Sequence, residues 1–289
     1  MPDWRGPAEA TRDSLFLAKI LYACFGCATW EYFSHLDYEW DVLRGKRSYR
    51  WTIWVYSACR LSMLLAFLLL IILTSGWVTH DCSAPYAAGM FFTYLTIALA
   101  SLLLILRIAA VWKRNIIIMT VSIIVWLSCI ALNIRDLTLV RALYSASVGS
   151  CISFDAYAFL PNAAGVLGSD ALLLGLTLVG LLRMREDRKF GIARFLYRQG
   201  IVWLIVAVLV EVPVVILSAL NLNDPLILML QPVELLSLGV CATAMYRALT
   251  NYSPGHVTSL PLTPLRTRLI VRPVRSRSPT SLDPRTNSQ

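Results

Sequence analysis

Five charged residues lie inside long apolar stretches of this sequence, and they are the residues best placed to do chemistry. They are Lys19, Arg60, Asp170, Glu211 and Glu234. If the stretches cross a membrane, each charge near the bilayer centre costs at least about 2.5–3.5 kcal/mol and requires a partner or a function. Counting about 1.5 Å per residue from the stretch ends puts all five at a similar middle-to-outer depth. They predict either a polar pocket for an ion or small ligand, or ion pairs that only fix helix packing, with Lys19 pairing with Glu211 or Glu234.

Two prolines lie close to the acids of this group. Pro213 follows Glu211 by two residues, and Pro232 precedes Glu234 by two residues. Proline in a membrane helix frees a backbone carbonyl and bends the helix. Both positions therefore predict kinks that open space for water or a ligand.

The composition indicates which elements position these residues. The chain has 289 residues, of which 57% are hydrophobic and 15% charged, with a mean hydropathy of +0.65. A soluble chain is about 45–50% apolar and about 25% charged, so this one has too few polar residues to cover a water-facing surface. Continuous apolar stretches of roughly 20 residues are typical of membrane helices rather than barrel strands. We therefore predict an all-α bundle of seven transmembrane helices at about 14–33, 52–73, 86–111, 116–134, 162–183, 200–220 and 226–248.

Lys and Arg are concentrated on one side of these stretches. They follow the odd-numbered stretches and continue into the C-terminal segment, whereas the opposite side has few. Because such residues stay in the cytosol, the pattern predicts an N-terminus outside and a C-terminus inside. Residues 1–13 then form an outer segment, 14–249 the membrane domain, and 250–289 a Ser-, Pro- and Arg-rich cytosolic tail that is predicted to be disordered.

The first cytosolic segment is rich in acids and then in bases. Ser34 and Asp37 have the spacing of a helix start, and apolar residues recur at helical intervals over about 35–44. We expect a short amphipathic helix here on the inner leaflet; the alternative is that the first membrane helix simply continues. The residues that anchor this segment at lipid headgroups are Trp40, Arg44, Lys46, Arg47 and Arg50.

A family resemblance covers this part of the chain. The stretch "TWEYFSHLDYEWDVLRGKRSYRWTIWVYSACRLSML" at 29–64 resembles the N-terminal signature of a large family of uncharacterised integral membrane proteins from mushroom-forming fungi. The shared features are the acids of "LDYEWDV", the bases that follow, and Arg60 of "ACRL". The resemblance implies a multi-pass protein in the plasma membrane or an endomembrane of a fungal cell. It supplies no mechanism.

Two of the seven cysteines lie outside the predicted spans. Cys82 and Cys151 both fall in segments assigned to the oxidising outer side. Two cysteines that are the only ones predicted on that side tend to form a disulfide with each other. The alternative is two free thiols. The other five cysteines lie within the spans, where a thiol behaves as a small apolar group.

The remaining motifs argue against several functions. The three histidines lie in different segments, and no phosphate-binding loop or nucleophile elbow is visible. We therefore expect no enzyme activity, no metal, no cofactor and no nucleic-acid partner. Two functions stay open. The first is a receptor-like sensor with an intramembrane pocket for a small molecule and a cytosolic partner at residues 183–199; the second is a transporter or channel subunit for a proton or small solute.

Overall fold

The protein is described here by a computed structural model. The described residues are 7–44, 51–75, 82–112, 115–139, 142–145, 150–153, 160–187, 191–220, 226 and 228–251. The helices are α1 (Pro7–Ser34), α2 (Leu36–Leu43), α3 (Thr52–Thr74), α4 (Ser83–Val111), α5 (Ile116–Leu139), α6 (Leu160–Asp187), α7 (Gly191–Leu220) and α8 (Gln231–Asn251), and the strands are β1 (Ala142–Ser145) and β2 (Ser150–Ser153). The predicted tail beyond residue 251, and the anchor residues Lys46, Arg47 and Arg50, lie outside the described residues.

Each of the seven predicted stretches forms a helix, which confirms the all-α fold class. The last helix begins at Gln231 rather than at residue 226. The proposed partner segment at 183–199 falls at the end of α6 and the start of α7, while residues 188–190 between them lie outside the described part. Most side chains of that segment are likewise outside it, so the partner stays a prediction.

Four helices are long and apolar enough to cross a membrane. They are Thr52–Thr74, Ser83–Val111, Ile116–Leu139 and Leu160–Gly180, and Val208–Leu220 is a shorter apolar helix. In α5 most of the apolar surface faces outward, with Ile116 and Ile117 strongly exposed. Such a large apolar surface would be unfavourable in water, whereas the hydrocarbon core of a bilayer accommodates it. The chain is a membrane protein; the number of spans and their direction stay predictions.

Helix α4 is the centre of the bundle, because it packs against α3, α5, α6 and α8. Small residues allow some of the close helix contacts. A Cβ on Gly165 of α6 would lie 2.5 Å from Leu132 Cδ1 of α5, and one on Gly239 of α8 would lie 2.6 Å from Met63 Sδ of α3. Glycine at these positions therefore lets the helices approach closely, as is common where helices associate in lipid.

The strands form a small antiparallel hairpin, in which Ala142 pairs with Ser153 and Tyr144 with Cys151. β1 contacts α4 and β2 contacts α3, and we call this end of the bundle the hairpin end. Cys82, which precedes α4, is buried and disulfide-bonded. Five other cysteines are free thiols. The side chain of Cys151 is outside the described residues, so the Cys82–Cys151 pairing stays a prediction.

The opposite end carries the short helix α2, and we call it the α2 end. Helix α1 ends at Ser34, and α2 starts after a break at His35. The separate short helix is therefore confirmed, and the alternative of one continuous helix is wrong. Trp40 is exposed, and the Arg44 guanidinium lies 4.9 Å from the centre of its ring. This arrangement suits an anchor at a membrane surface, a role that stays a prediction.

Candidate functional site

Three predicted site residues meet inside the bundle. Asp170 of α6, Glu211 of α7 and Glu234 of α8 are 1%, 2% and 9% exposed. The carboxyl groups of Asp170 and Glu211 are within hydrogen-bonding range of each other. Glu234 is close enough to interact electrostatically with both. We call these three residues the carboxyl triad; the sequence predicted that they would share one region.

Neighbouring helices position the triad. The Ser101 hydroxyl of α4 donates a hydrogen bond to Asp170 Oδ1 at 3.3 Å. Glu234 lies in the first turn of α8, where the unpaired backbone N–H groups of the helix favour a negative charge. Glu211 Oε1 is buried without a hydrogen-bond partner. The triad therefore has fewer donors than its oxygens can accept.

The two prolines near the triad have different positions in their helices. Pro213 lies inside α7, and its ring removes the backbone hydrogen bond to the carbonyl one turn earlier. The kink expected there stays a prediction. Pro232 is the second residue of α8, and in the first helical turn a missing N–H costs nothing. The prediction of a kink at Pro232 is therefore wrong, because this proline starts the helix rather than bending it.

The chemistry of the triad follows from its charge. A hydrogen bond between two carboxyl groups requires a proton on one of them, because ionised carboxylates only accept. None of the ion pairs found in the described part of the chain includes Asp170, Glu211 or Glu234. No group of three or more His, Cys, Asp or Glu side chains there is arranged to hold a metal ion. The arrangement is suited to taking up and releasing a proton.

A small cavity adjoins the triad. It measures about 10 Å³ and is lined by Ser101, Asp170, Cys241 and apolar residues of α4, α6 and α8. That is about the space one water molecule needs, whereas ligand pockets usually have about 300–1,000 Å³. The cavity is therefore large enough for one water molecule beside Asp170, but it has no room for a small-molecule ligand.

Lys19 does not join the triad. It is exposed on α1, and its ammonium lies 5.4 Å from the centre of the Phe16 ring, a cation–π contact with its own helix. The buried face of α1 carries Leu21, Cys24 and Ala28 instead. The prediction that Lys19 pairs with Glu211 or Glu234 is wrong.

Arg60 is fully buried but belongs to a different site. Its Nη1 lies 2.6 Å from Glu39 Oε1, and its Nε lies 3.4 Å from Glu31 Oε2. Its Nη2 donates to the backbone carbonyls of Glu31 and Tyr32 at the end of α1. The prediction that Arg60 belongs with the buried acids of α6, α7 and α8 is therefore wrong, since its partners come from α1 and α2.

A second arginine completes this α2-end site. Arg247 Nη1 of α8 lies 2.6 Å from Glu31 Oε1 and 3.0 Å from the Tyr56 hydroxyl. Arg60 Nη1 also donates to the Tyr56 hydroxyl, at 3.1 Å. We call Glu31, Glu39, Tyr56, Arg60 and Arg247 the arginine cluster. It joins α1, α2, α3 and α8. Sequence reasoning missed it because Glu31 and Arg247 lie at the ends of the predicted spans 14–33 and 226–248, where a charge calls for no partner.

His35 lies beside this cluster, at the break between α1 and α2. Its pKa is lowered from 6.5, first by partial burial and then by the positive charges of Arg247 and Arg60, which outweigh the attraction of Glu31. The imidazole is therefore neutral at pH 7 and adds no third positive charge to the arginine cluster.

Sequence comparisons neither add to this site nor conflict with it. No family model matches the chain, and a search of curated proteins finds no match. The resemblance to fungal membrane proteins therefore stays a prediction. The functional argument rests on the geometry of the carboxyl triad and the arginine cluster.

Proposed function

We propose that the protein binds protons at the carboxyl triad and transports them across the membrane. One observation carries this proposal: Asp170, Glu211 and Glu234 come from three helices, are buried together, and form no ion pair with a base of the described chain. Acids inside a membrane bundle are costly, and they mark proton relays in pumps and transporters. The close approach of the Asp170 and Glu211 carboxyl groups gives a proton a defined place to reside.

The arginine cluster supports a transport cycle. It places the guanidinium groups of Arg60 and Arg247 together across the α2 end of the bundle. We propose that these ion-paired side chains close the α2 end of the bundle. A proton on the triad would then leave toward that end only when the ion pairs separate, which is the kind of gating that alternating access requires.

A receptor-like sensor is the less supported function. It needs an intramembrane pocket for a ligand, whereas the cavity at the triad has about the volume of one water molecule. The proposed ligand and the cytosolic partner at 183–199 therefore have no support from the described side chains.

The proposed topology has seven spans, with the hairpin end outside and the C-terminus in the cytosol. The shortest of the seven long helices, α8, has 21 residues and so spans about 31 Å, enough for the hydrocarbon core. The disulfide at Cys82 supports an oxidising environment at the hairpin end. A tag after Gln289 should be accessible only once the cytosol is exposed, and a tag before Trp4 should behave in the opposite way. Both tags on one side would contradict seven spans.

Proton flux through purified protein in liposomes tests the function. The liposomes contain a pH-sensitive dye, and a potassium gradient with valinomycin supplies the driving potential. We expect the protein to carry protons faster than empty liposomes leak them. Glu211→Gln and Asp170→Asn should lose most of this flux, because an amide cannot take up the proton that a carboxylate carries.

A matched control separates this effect from a general loss of carboxylates. Asp37 is exposed at the start of α2, so Asp37→Asn should retain the full flux. Flux at the level of empty liposomes for folded, membrane-inserted wild-type protein would refute proton transport. Equal flux in wild type and Glu211→Gln would refute the role of the triad.

A further inference from the structure

A second polar site lies between α5 and α6, outside the carboxyl triad. Asp136 of α5 is 0% exposed, while Asn133 of α5 and Asn162 of α6 are each 5% exposed. Both carboxyl oxygens of Asp136, and the Oδ1 atoms of both asparagines, have no hydrogen-bond partner. We call these three residues the oxygen site. Buried acceptors without a donor are costly, so these four oxygens favour a positively charged partner.

Helix spacing and helix packing place these three residues near one another. Asn133 and Asp136 are three residues apart in one helix, a spacing that puts side chains on the same face. Both belong to the buried face of α5, whose other buried residues are Ser122 and Cys129. Asn162 of the adjacent α6 approaches Asp136 and also the Tyr94 hydroxyl of α4. Three helices therefore converge on the Asp136 carboxylate.

The negative charge of Asp136 is only partly neutralised by its basic neighbour. Arg135 Nη1 lies 3.7 Å from Asp136 Oδ1, but the Arg135 side chain is about half exposed and water screens it. Tyr94 interacts electrostatically with both Asp136 and Glu234, so the oxygen site adjoins the triad. A cation bound at Asp136 would supply the positive charge that the half-exposed Arg135 provides only in part.

We propose that the oxygen site binds a monovalent hard cation, with Na⁺ as the best candidate. Its ligands would be the carboxylate of Asp136 and the amide oxygens of Asn133 and Asn162, with water completing the shell. Carboxylate and amide oxygens are the ligands hard cations prefer. One carboxylate supplies a single negative charge, whereas sites for Ca²⁺ gather six to eight oxygens and usually several carboxylates.

Thermal unfolding of the whole purified protein in detergent tests the site. Na⁺ is titrated against choline at constant ionic strength, so that general salt effects cancel. We expect the unfolding temperature to rise with Na⁺ and to saturate, because a ligand that binds only the folded state stabilises it. Asp136→Asn should abolish the Na⁺-dependent rise, and Asn162→Ala should weaken apparent Na⁺ affinity by about tenfold or more.

Two controls make the result decisive. Glu211→Gln should retain the full response to Na⁺, so that loss of the proposed proton transport and loss of the cation site give different results. Asp37→Asn should also respond like wild type. No Na⁺-dependent rise in wild type would overturn the proposal, and so would a rise that persists unchanged in both Asp136→Asn and Asn162→Ala. If Asp136→Asn does not fold, the affinity of Asn162→Ala decides the outcome.

Discussion

The arginine cluster and the carboxyl triad both bury charge between helices, but they differ in balance. In the cluster, Arg60 and Arg247 face Glu31 and Glu39 at short distances. In the triad, three acids meet with no basic partner among the ion pairs of the described residues. A balanced set can hold helices together because each charge is neutralised locally. Three acids without a basic partner favour the uptake of a proton from solution, and this is why we propose the triad as the functional site.

Removing Arg60 should have the largest effect on stability. Arg60→Met takes away the basic partner of Glu39 and leaves Glu31 paired with Arg247 alone. Breaking a buried ion pair typically costs about 3–5 kcal/mol. The double variant with Glu39→Gln should recover part of this loss, because it removes the acid that Arg60 neutralised. Chemical unfolding of the purified protein measures both values.

Arg60→Lys sharpens this test. An ammonium lacks the planar fork that lets the guanidinium reach Glu39 and the end of α1 together, so lysine should restore only part of the stability. Wild-type stability in Arg60→Met would show that the arginine cluster does not hold the α2 end together.

Removing the disulfide at Cys82 should have the second largest effect on stability. The disulfide stabilises the hairpin end, whereas the arginine cluster stabilises the α2 end. Cys82→Ser should lower the free energy of unfolding by about 2–4 kcal/mol through the freedom it returns to the unfolded chain. If the partner is Cys151, then Cys151→Ser should give the same loss. Mass spectrometry should find the two cysteines linked in unreduced protein; free thiols at both would contradict the pairing.

Neutralising an acid of the triad should not lower the free energy of unfolding, in contrast to Arg60→Met. Glu211→Gln removes a carboxyl whose Oε1 has no partner, and it adds an amide donor facing Asp170. We expect the stability to stay equal or to rise by up to about 1–3 kcal/mol, the usual cost of an unsatisfied buried group. A loss comparable to that of Arg60→Met would mean that the triad is a balanced structural site.

The pH response of His35 should be the smallest effect. Its lowered pKa means that below about pH 6.5 the unfolded chain binds this proton more readily than the folded chain. The free energy of unfolding should therefore fall as pH falls from about 7.5 to about 5.5, and His35→Gln should reduce that slope. If the free energy of unfolding changes with pH equally in wild type and in His35→Gln, then His35 does not contribute to the charge balance at the α2 end.

The helices could be predicted from the sequence because seven long apolar stretches have few other stable forms in a membrane. The partners of Arg60 could not be predicted from the sequence. Residue counting gives the depth of its Cα, whereas side chains on a helix tilt toward the helix N-terminus. The N-terminus of α3 lies at the α2 end, so the long Arg60 side chain reaches Glu31 and Glu39 there.

Lys19 was misplaced for a related reason. Helix α1 is apolar around most of its circumference, so the sequence does not show which face is buried. The structure buries Leu21, Cys24 and Ala28, and this leaves Lys19 exposed. Asp136 and its two asparagines were also overlooked, because Asp136 falls just beyond the predicted span at 116–134.

The central claim is that Asp170 and Glu211 share a proton inside the bundle. Infrared difference spectroscopy of the purified protein between neutral and alkaline pH measures this directly, because a protonated carboxyl group has a C=O band that a carboxylate lacks. We expect that band in wild type and in Asp37→Asn at neutral pH, and a clearly smaller one in Glu211→Gln. A wild-type spectrum without a protonated carboxyl band, or a band that Glu211→Gln and Asp170→Asn leave unchanged, would contradict the account.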